Sequence, residues 1–266
     1  MKNIILSLLF SMILILSFAQ EKRVKFIIET PYGNLKGELY NETPQHRDNF
    51  IKLVKEGWYE DSPFHRIIKD FMIQGGQNKD GRRDPGYTIP AEFIAEQFIH
   101  KKGALAAARM GDNVNPTQAS SGSQFYIVQG KITNDDMLLN FERSISQKAQ
   151  SGLIREFLNR PENIDLMAKV KSLQQSRKNA ELNLYIGQVK ELMLNEGIEL
   201  EEFYYTEKQK AVYRTLGGTP HLDGAYTVFG EITEGFDVID KLAAVPTAGA
   251  NVPVEAISMK IKLIEE

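Results

Sequence analysis

Proline placement constrains the fold of this chain more than any other feature. Nine of its ten prolines lie outside residues 131–218, and that window holds only Pro161. Proline removes a backbone donor and clashes with the preceding helical turn, so helix interiors exclude it while turns and helix starts accept it. The chain therefore divides into a proline-punctuated body and a proline-poor central stretch. That stretch is rich in Leu, Lys, Glu, Gln and Ala, with 13 basic and 13 acidic side chains, and it reads as helix. Three segments are expected. One covers about 135–158 and is broken by Pro161. A second covers about 164–195 and stops at Glu196-Gly197. A third opens at Thr206 with Gln209 three residues on, a capping-box pattern, and ends at Gly217-Gly218.

The flanks read as strand. Val24, Phe26 and Ile28 alternate with Lys25, Ile27 and Glu29, and the turn Pro31-Tyr32-Gly33-Asn34 leads into Leu35–Tyr40, a hairpin signal. Further strand-like runs are 64–68, 71–74, 104–108, 124–129, 227–232 and 257–264. A short helix is expected between Thr43-Pro44 and Gly57, and another over 236–242. Many short strands, two helices and frequent Gly and Pro turns point to a closed barrel or a sandwich.

Residues 1–19 follow a different pattern. Lys2 is the only charge, Ile4 to Phe18 is almost unbroken apolar sequence, and Ser17-Phe18-Ala19 suits a signal peptidase. The expectation is a signal peptide cleaved after Ala19 and a mature chain starting at Gln20, exported to the periplasm or secreted. The alternative is an uncleaved anchor, although a spanning helix needs about 20 apolar residues. If the signal is cleaved, no stable membrane contact is expected. The chain has no cysteine, which excludes disulfides, thiolate nucleophiles, cysteine zinc sites and iron–sulfur clusters. With 32 basic against 35 acidic residues and no basic stripe, nucleic acid is not an expected partner. The four histidines show no metal-ligand spacing, and there is no nucleophile elbow or phosphate loop, so neither metal nor cofactor is expected.

One stretch carries a specific signal. Phe64-His65-Arg66-Ile67-Ile68, followed by Phe71-Met72-Ile73-Gln74-Gly75-Gly76, closely resembles the signature of cyclophilin-type peptidyl-prolyl isomerases. Gly122-Ser123-Gln124-Phe125-Tyr126-Ile127 resembles the family's G-S-Q-F-F-I strand, and Leu222-Asp223-Gly224 with Val228-Phe229-Gly230 resembles its L-D-G…V-F-G segment. The resemblance implies an eight-stranded closed antiparallel β-barrel capped by two helices. The barrel would be formed by residues 20–130 and 220–266, with 131–219 as an α-helical insertion.

The resemblance also implies a site. Arg66 and Gln74 are its catalytic candidates. Phe71, Met72, Tyr126 and Leu222 map onto the proline pocket, Gln74 and Gln124 onto its polar wall, and Ala108-Arg109 onto the strand whose backbone pairs with an extended peptide. His221 stands at a rim position where the family often has Trp, and Tyr226 where it has a pocket His. Tyr126 replaces the usual Phe. Strand alternation agrees: Met72 and Gln74 share one face, as do Gln124 and Tyr126, which leaves Phe125 for the core. The implied function is isomerisation of X–Pro bonds in proline-containing polypeptides, assisting the folding of exported proteins. The alternative is a non-enzymatic proline-peptide binding or chaperone module that uses the helices. The Phe203-Tyr204-Tyr205 cluster is expected to pack against the barrel.

Overall fold

The computed structural model describes residues 22–82 and 84–264. The expected signal peptide therefore lies outside the described residues. The elements in chain order begin with β1 (Lys25–Thr30), β2 (Gly33–Leu39), α1 (Pro44–Lys55), β3 (Ser62–Pro63), β4 (Arg66–Ile68), β5 (Met72–Gly75) and β6 (Thr88–Ile89). Next come β7 (Ala104–Ala107), β8 (Ser120–Ser121), β9 (Phe125–Val128), α2 (Asp135–Leu158), α3 (Ile164–Gln175), α4 (Asn179–Asn195) and α5 (Glu207–Thr215). The chain closes with β10 (Val228–Glu234), α6 (Phe236–Ala243) and β11 (Ser258–Ile264).

The expected closed eight-stranded barrel is corrected to an open, curled antiparallel sheet of nine strands, a half-barrel with helices. Its order is β3-β11-β1-β2-β10-β7-β9-β5-β4. The ninth strand is the two-residue β3, which pairs Ser62 and Pro63 with Met259 and Ser258. The edges, β3 and β4, are not hydrogen-bonded to each other. They are consecutive in the chain, so covalent continuity through Phe64 and His65 joins them: the Phe64 N–H bonds to Ile257 on one side and the His65 N–H to Gln74 on the other. A separate two-stranded ribbon pairs β6 with β8.

The curl gives the sheet two unlike faces. One meets α1 and α6, where Phe26, Ile28, Leu35, Ile73, Phe125 and Ile127 pack with Phe50, Leu53, Val238, Ile239 and Leu242. The other buries Met72, Ala104, Ala106, Tyr126, Val128 and Val228 as a smaller cluster. Phe125 and Tyr126 therefore point to opposite faces, as their adjacency on a strand demands. Thr43 stands at the α1 N-cap position, but its side chain does not cap the helix; the hydroxyl bonds to the Tyr40 carbonyl at 3.5 Å.

The central stretch is helical. The expected second segment is divided into α3 and α4 by a turn at Ser176-Arg177-Lys178, where Arg177 adopts a left-handed φ of 54°. The two ends of the stretch meet: Lys131 and Gly218 exchange backbone hydrogen bonds at 3.2 and 3.1 Å. A side chain at Gly218 would come within 2.2 Å of the His100 carbonyl, so this crossing requires glycine.

The helices form two distinct units. The C-terminal half of α2 packs with α3 and α4 around Ile154, Phe157, Val170, Val189 and Met193, a core of their own. By contrast, Leu138 and Phe141 at the start of α2 join Tyr205 and Tyr213 against Ile99 of the sheet body. In the aromatic cluster, Tyr205 is buried and Phe203 packs on it edge to face at 4.9 Å, whereas Tyr204 is exposed. Among the described residues, no helix is long and apolar enough to cross a membrane.

Candidate active site

Antiparallel pairing of β4 with β5 sets Arg66 directly opposite Gln74, and pairing of β5 with β9 sets Gln74 opposite Tyr126. Cross-strand partners on one face lie about 4.5–5.5 Å apart at Cβ. The register alone therefore brings a cation, an amide and an aromatic ring side by side. Arg66 Nη1 donates to Gln74 Oε1 at 3.3 Å, and Gln74 Nε2 donates to Gln124 Oε1 at 3.2 Å. This relay fixes which way each amide points and holds the guanidinium over the adjoining hollow.

That hollow is a pocket of about 160 Å3. Phe71, Met72, Tyr126 and Leu222 give it apolar walls, Arg66 and Gln74 form one rim, and Ala108, Arg109 and Tyr226 complete it. Tyr226 meets Tyr126 edge to face at 6.0 Å, and the Arg109 guanidinium lies over the Tyr226 ring at 4.6 Å. His221, on a short 3-10 turn (Pro220–Leu222), stacks on Phe71 at 5.6 Å and so stands beside the pocket. Partial burial, followed by the nearby His100, holds the His221 pKa below its ordinary value. Gln124 stands behind Gln74 as its partner in the relay.

The backbone of Ala108 is already engaged. Its N–H donates to the Gln124 carbonyl at 2.9 Å, and its carbonyl accepts from the Ser121 N–H at 2.8 Å. The Arg109 side chain turns back into the body, donating to the Ala225 and Met110 carbonyls at 2.7 and 2.9 Å and to Asp112 at 2.7 Å. Burial works against the Asp112 carboxylate, but bonds from Arg109, Gln118 and Lys148 outweigh it and lower its pKa to about 2. A depressed carboxylate contributes stability above its unfolded pKa, about 3.9, and loses it as pH falls through the folded value. Asp112→Asn is therefore expected to lower the melting temperature at pH 5, with the difference closing toward pH 2. A constant difference across that range, measured by thermal melts, would contradict this.

The Gly75-Gly76 pair explains how the relay strand leaves the sheet. Gly76 has φ of 96°, and a Cβ there would lie 2.2 Å from the Ser123 carbonyl. Trp58 Nε1 donates to the Gly76 carbonyl at 3.0 Å and the Tyr59 hydroxyl to the Ser123 carbonyl at 3.0 Å, which anchors both strands where Gln74 and Gln124 meet.

His100, Asp223, Tyr205 and Tyr213 stand behind the pocket, and the sequence names none of them as a site residue: Asp223 enters only as part of a motif and Tyr205 only as packing. Tyr126 Oη lies 3.0 Å from His100 Nε2, and His100 Nδ1 lies 2.7 Å from Asp223 Oδ1. Asp223 Oδ2 accepts from Tyr205 and Tyr213 at 2.7 and 2.5 Å. The departure of Tyr126 from the expected Phe was the available signal, because a buried hydroxyl requires a partner. Among the described residues there is no cluster of side chains able to hold a metal ion.

Comparison with known proteins agrees with this geometry. The family model for cyclophilin type peptidyl-prolyl cis-trans isomerase matches residues 24–146 and 203–263. A Staphylococcus epidermidis protein named "Putative peptidyl-prolyl cis-trans isomerase" is 27% identical over 252 residues, covering 93% of this chain and 94% of that protein. A Streptococcus pyogenes protein named "Putative bifunctional phosphatase/peptidyl-prolyl cis-trans isomerase" is 29% identical over 240 residues; the match covers 88% of this chain but only 37% of that longer protein. A crystal structure of a Cryptosporidium parvum cyclophilin type isomerase superposes with a TM-score of 0.51 at 20% identity, covering 92% of this chain and 99% of that one. A second structure of that protein, determined in the presence of the dipeptide Ala-Pro, gives 0.50. The matched segments include every residue lining the pocket and the strands of the curled sheet up to, but not including, the last residue of β11, so the chain belongs to the cyclophilin type peptidyl-prolyl cis-trans isomerase family.

Proposed function

We propose that this isomerase acts outside the cytoplasm on X–Pro bonds of exported polypeptides, with Arg66 as the group that stabilises the twisted amide. The observation that carries the reading is the Arg66–Gln74–Gln124 relay beside the apolar pocket of Phe71, Met72 and Tyr126. Resonance makes rotation about a peptide bond cost ~18–20 kcal/mol. The cis and trans X–Pro forms differ by only about 0.5–1 kcal/mol, so the barrier is the sole obstacle. At the twisted geometry the prolyl nitrogen becomes pyramidal and regains its lone pair. No covalent bond breaks and no proton has to be transferred.

A catalyst must then bind the twisted form more tightly than either planar one. Arg66 suits this task because its charge persists at every relevant pH and its donors form a rigid fork. Gln74 takes one donor and aims the rest at the pocket mouth. The apolar walls hold the proline ring while the flanking peptide turns, and Gln124 and the backbone beyond Ala108 offer polar groups to that peptide. The exported setting rests on the pattern of residues 1–19. Intact-mass analysis of the protein from its native cells is expected to give a chain starting at Gln20 in a soluble extracytoplasmic fraction. A mass retaining residues 1–19 in the membrane fraction would contradict cleavage. The folding role predicts faster refolding of a proline-limited exported protein, and an unchanged refolding rate would contradict it.

A further inference from the structure

The buried chain of side chains behind the pocket connects Tyr126 to the helical stretch. Asp223 has a side chain with 0% exposure, yet it accepts four hydrogen bonds: from the His100 backbone N–H at 2.8 Å, His100 Nδ1 at 2.7 Å, Tyr205 at 2.7 Å and Tyr213 at 2.5 Å. His100 is itself 1% exposed. Asp223 Oδ1 already accepts the His100 backbone N–H, so the Nδ1 atom facing the same oxygen is placed as the donor of the pair. With the proton of the imidazole on Nδ1, Nε2 is the acceptor, and its hydrogen-bond partner among the described residues is the Tyr126 hydroxyl at 3.0 Å. The Tyr126 proton consequently points into the protein, away from the pocket that the ring lines.

We propose that Asp223, His100 and the two tyrosines Tyr205 and Tyr213 are positioning residues for proline binding: they turn the Tyr126 hydroxyl proton away from the pocket, so that a phenol presents the proline ring with an apolar surface. This rests on the reading of Phe71, Met72 and Tyr126 as the proline pocket. It also explains how the chain carries Tyr where a plain apolar ring would serve. The hydroxyl is tied to the sheet body through His100, and through Asp223 to α5 and the segment before it. The helical stretch thus reaches the pocket floor through hydrogen bonds without touching substrate.

Replacing His100 by Phe removes the acceptor that faces Tyr126, so the Tyr126 proton is left without a partner and is free to turn toward the pocket. The experiment is a double-mutant cycle on a proline tetrapeptide, with KM and kcat measured separately. His100→Phe is expected to raise KM about tenfold, the cost of one unpaired buried hydroxyl, with kcat within about twofold. In a Tyr126→Phe background there is no hydroxyl to misdirect, so His100→Phe is expected to leave KM unchanged. Equal KM effects in both backgrounds would show a general structural role and overturn the proposal, as would an unchanged KM in His100→Phe alone. If His100→Phe does not fold, Tyr213→Phe removes one donor from the carboxyl group that holds His100. It is expected to raise KM about threefold with Tyr126 present and not at all in Tyr126→Phe; equal effects again overturn the coupling. Phe71→Ala separates the two readings. If it leaves KM unchanged the pocket assignment itself fails, whereas a raised KM alongside additive His100 effects rejects the coupling alone.

Discussion

Arg66→Ala is expected to lower kcat/KM for a proline peptide by roughly ten- to hundredfold while leaving the fold intact. A hydrogen bond from a charged donor contributes about 1.5–3 kcal/mol. At 1.36 kcal/mol per decade, losing one such bond at the twisted amide gives that range. Arg66 is only partly buried, and its one bond among the described side chains is the 3.3 Å contact to Gln74, so its removal opens no cavity in the core. Gln74→Ala removes the group that aims the guanidinium and should cost less, since the cation remains. Turnover and thermal melting together check this. A wild-type rate in a well-folded Arg66→Ala would remove Arg66 from the mechanism.

Excising residues 131–219 is expected to unfold the protein or lower its melting temperature by tens of degrees, whereas excising only 151–200 should be tolerated. The larger cut removes Tyr205 and Tyr213 and leaves the Asp223 carboxylate buried with half its donors gone. A buried acceptor left without its donor costs about 1–3 kcal/mol. The same cut uncovers Ile99 and removes the clamp in which Gln209 Nε2 bonds to the Ala95 and Glu96 carbonyls at 3.1 Å. Set against a total stability of about 5–15 kcal/mol, these losses are large. The smaller cut removes a self-contained core, since all residues of the Ile154–Met193 cluster and its flanking packing lie within 151–200. Its ends are already adjacent, because the Ser146 hydroxyl accepts from the Phe203 N–H at 2.8 Å and Gln150 reaches the Leu200 and Glu201 carbonyls at 3.5 Å. Closing so short a gap costs little entropy. Thermal melts of the two deletions decide it. Equal stability would mean that the two helical units do not differ in how they join the body.

What could be read in the sequence follows from range. The alternation of Met72 with Gln74 and of Gln124 with Tyr126 is local, and it places these side chains on one face whatever the rest of the chain does. All nine pocket-lining residues were therefore nameable once the motif was recognised. The strands β3, β6 and β8 have two residues each, too few to display a period. The expectation of eight strands in a closed barrel follows from the family resemblance, and neither the two-residue β3 nor the open edge between β3 and β4 leaves a periodic signal. The break between α3 and α4 has no glycine or proline; Arg177 takes the left-handed conformation at a cost of about 1–2 kcal/mol, repaid by packing the two helices on each other. The His100–Asp223 pair spans 123 positions and the Tyr205–Asp223 pair 18, and no spacing rule connects them. Only the fold brings them together behind Tyr126.

The most direct test of the account is exchange NMR at equilibrium on an Ala-Pro peptide with catalytic amounts of protein, comparing wild type with Arg66→Ala. Wild type is expected to produce cis–trans exchange on the second timescale with an unchanged cis:trans ratio, and Arg66→Ala to slow that exchange by at least about tenfold. Absence of catalysed exchange in folded wild type, or equal exchange rates in the two proteins, would contradict the assignment of this pocket as the place where the prolyl bond turns.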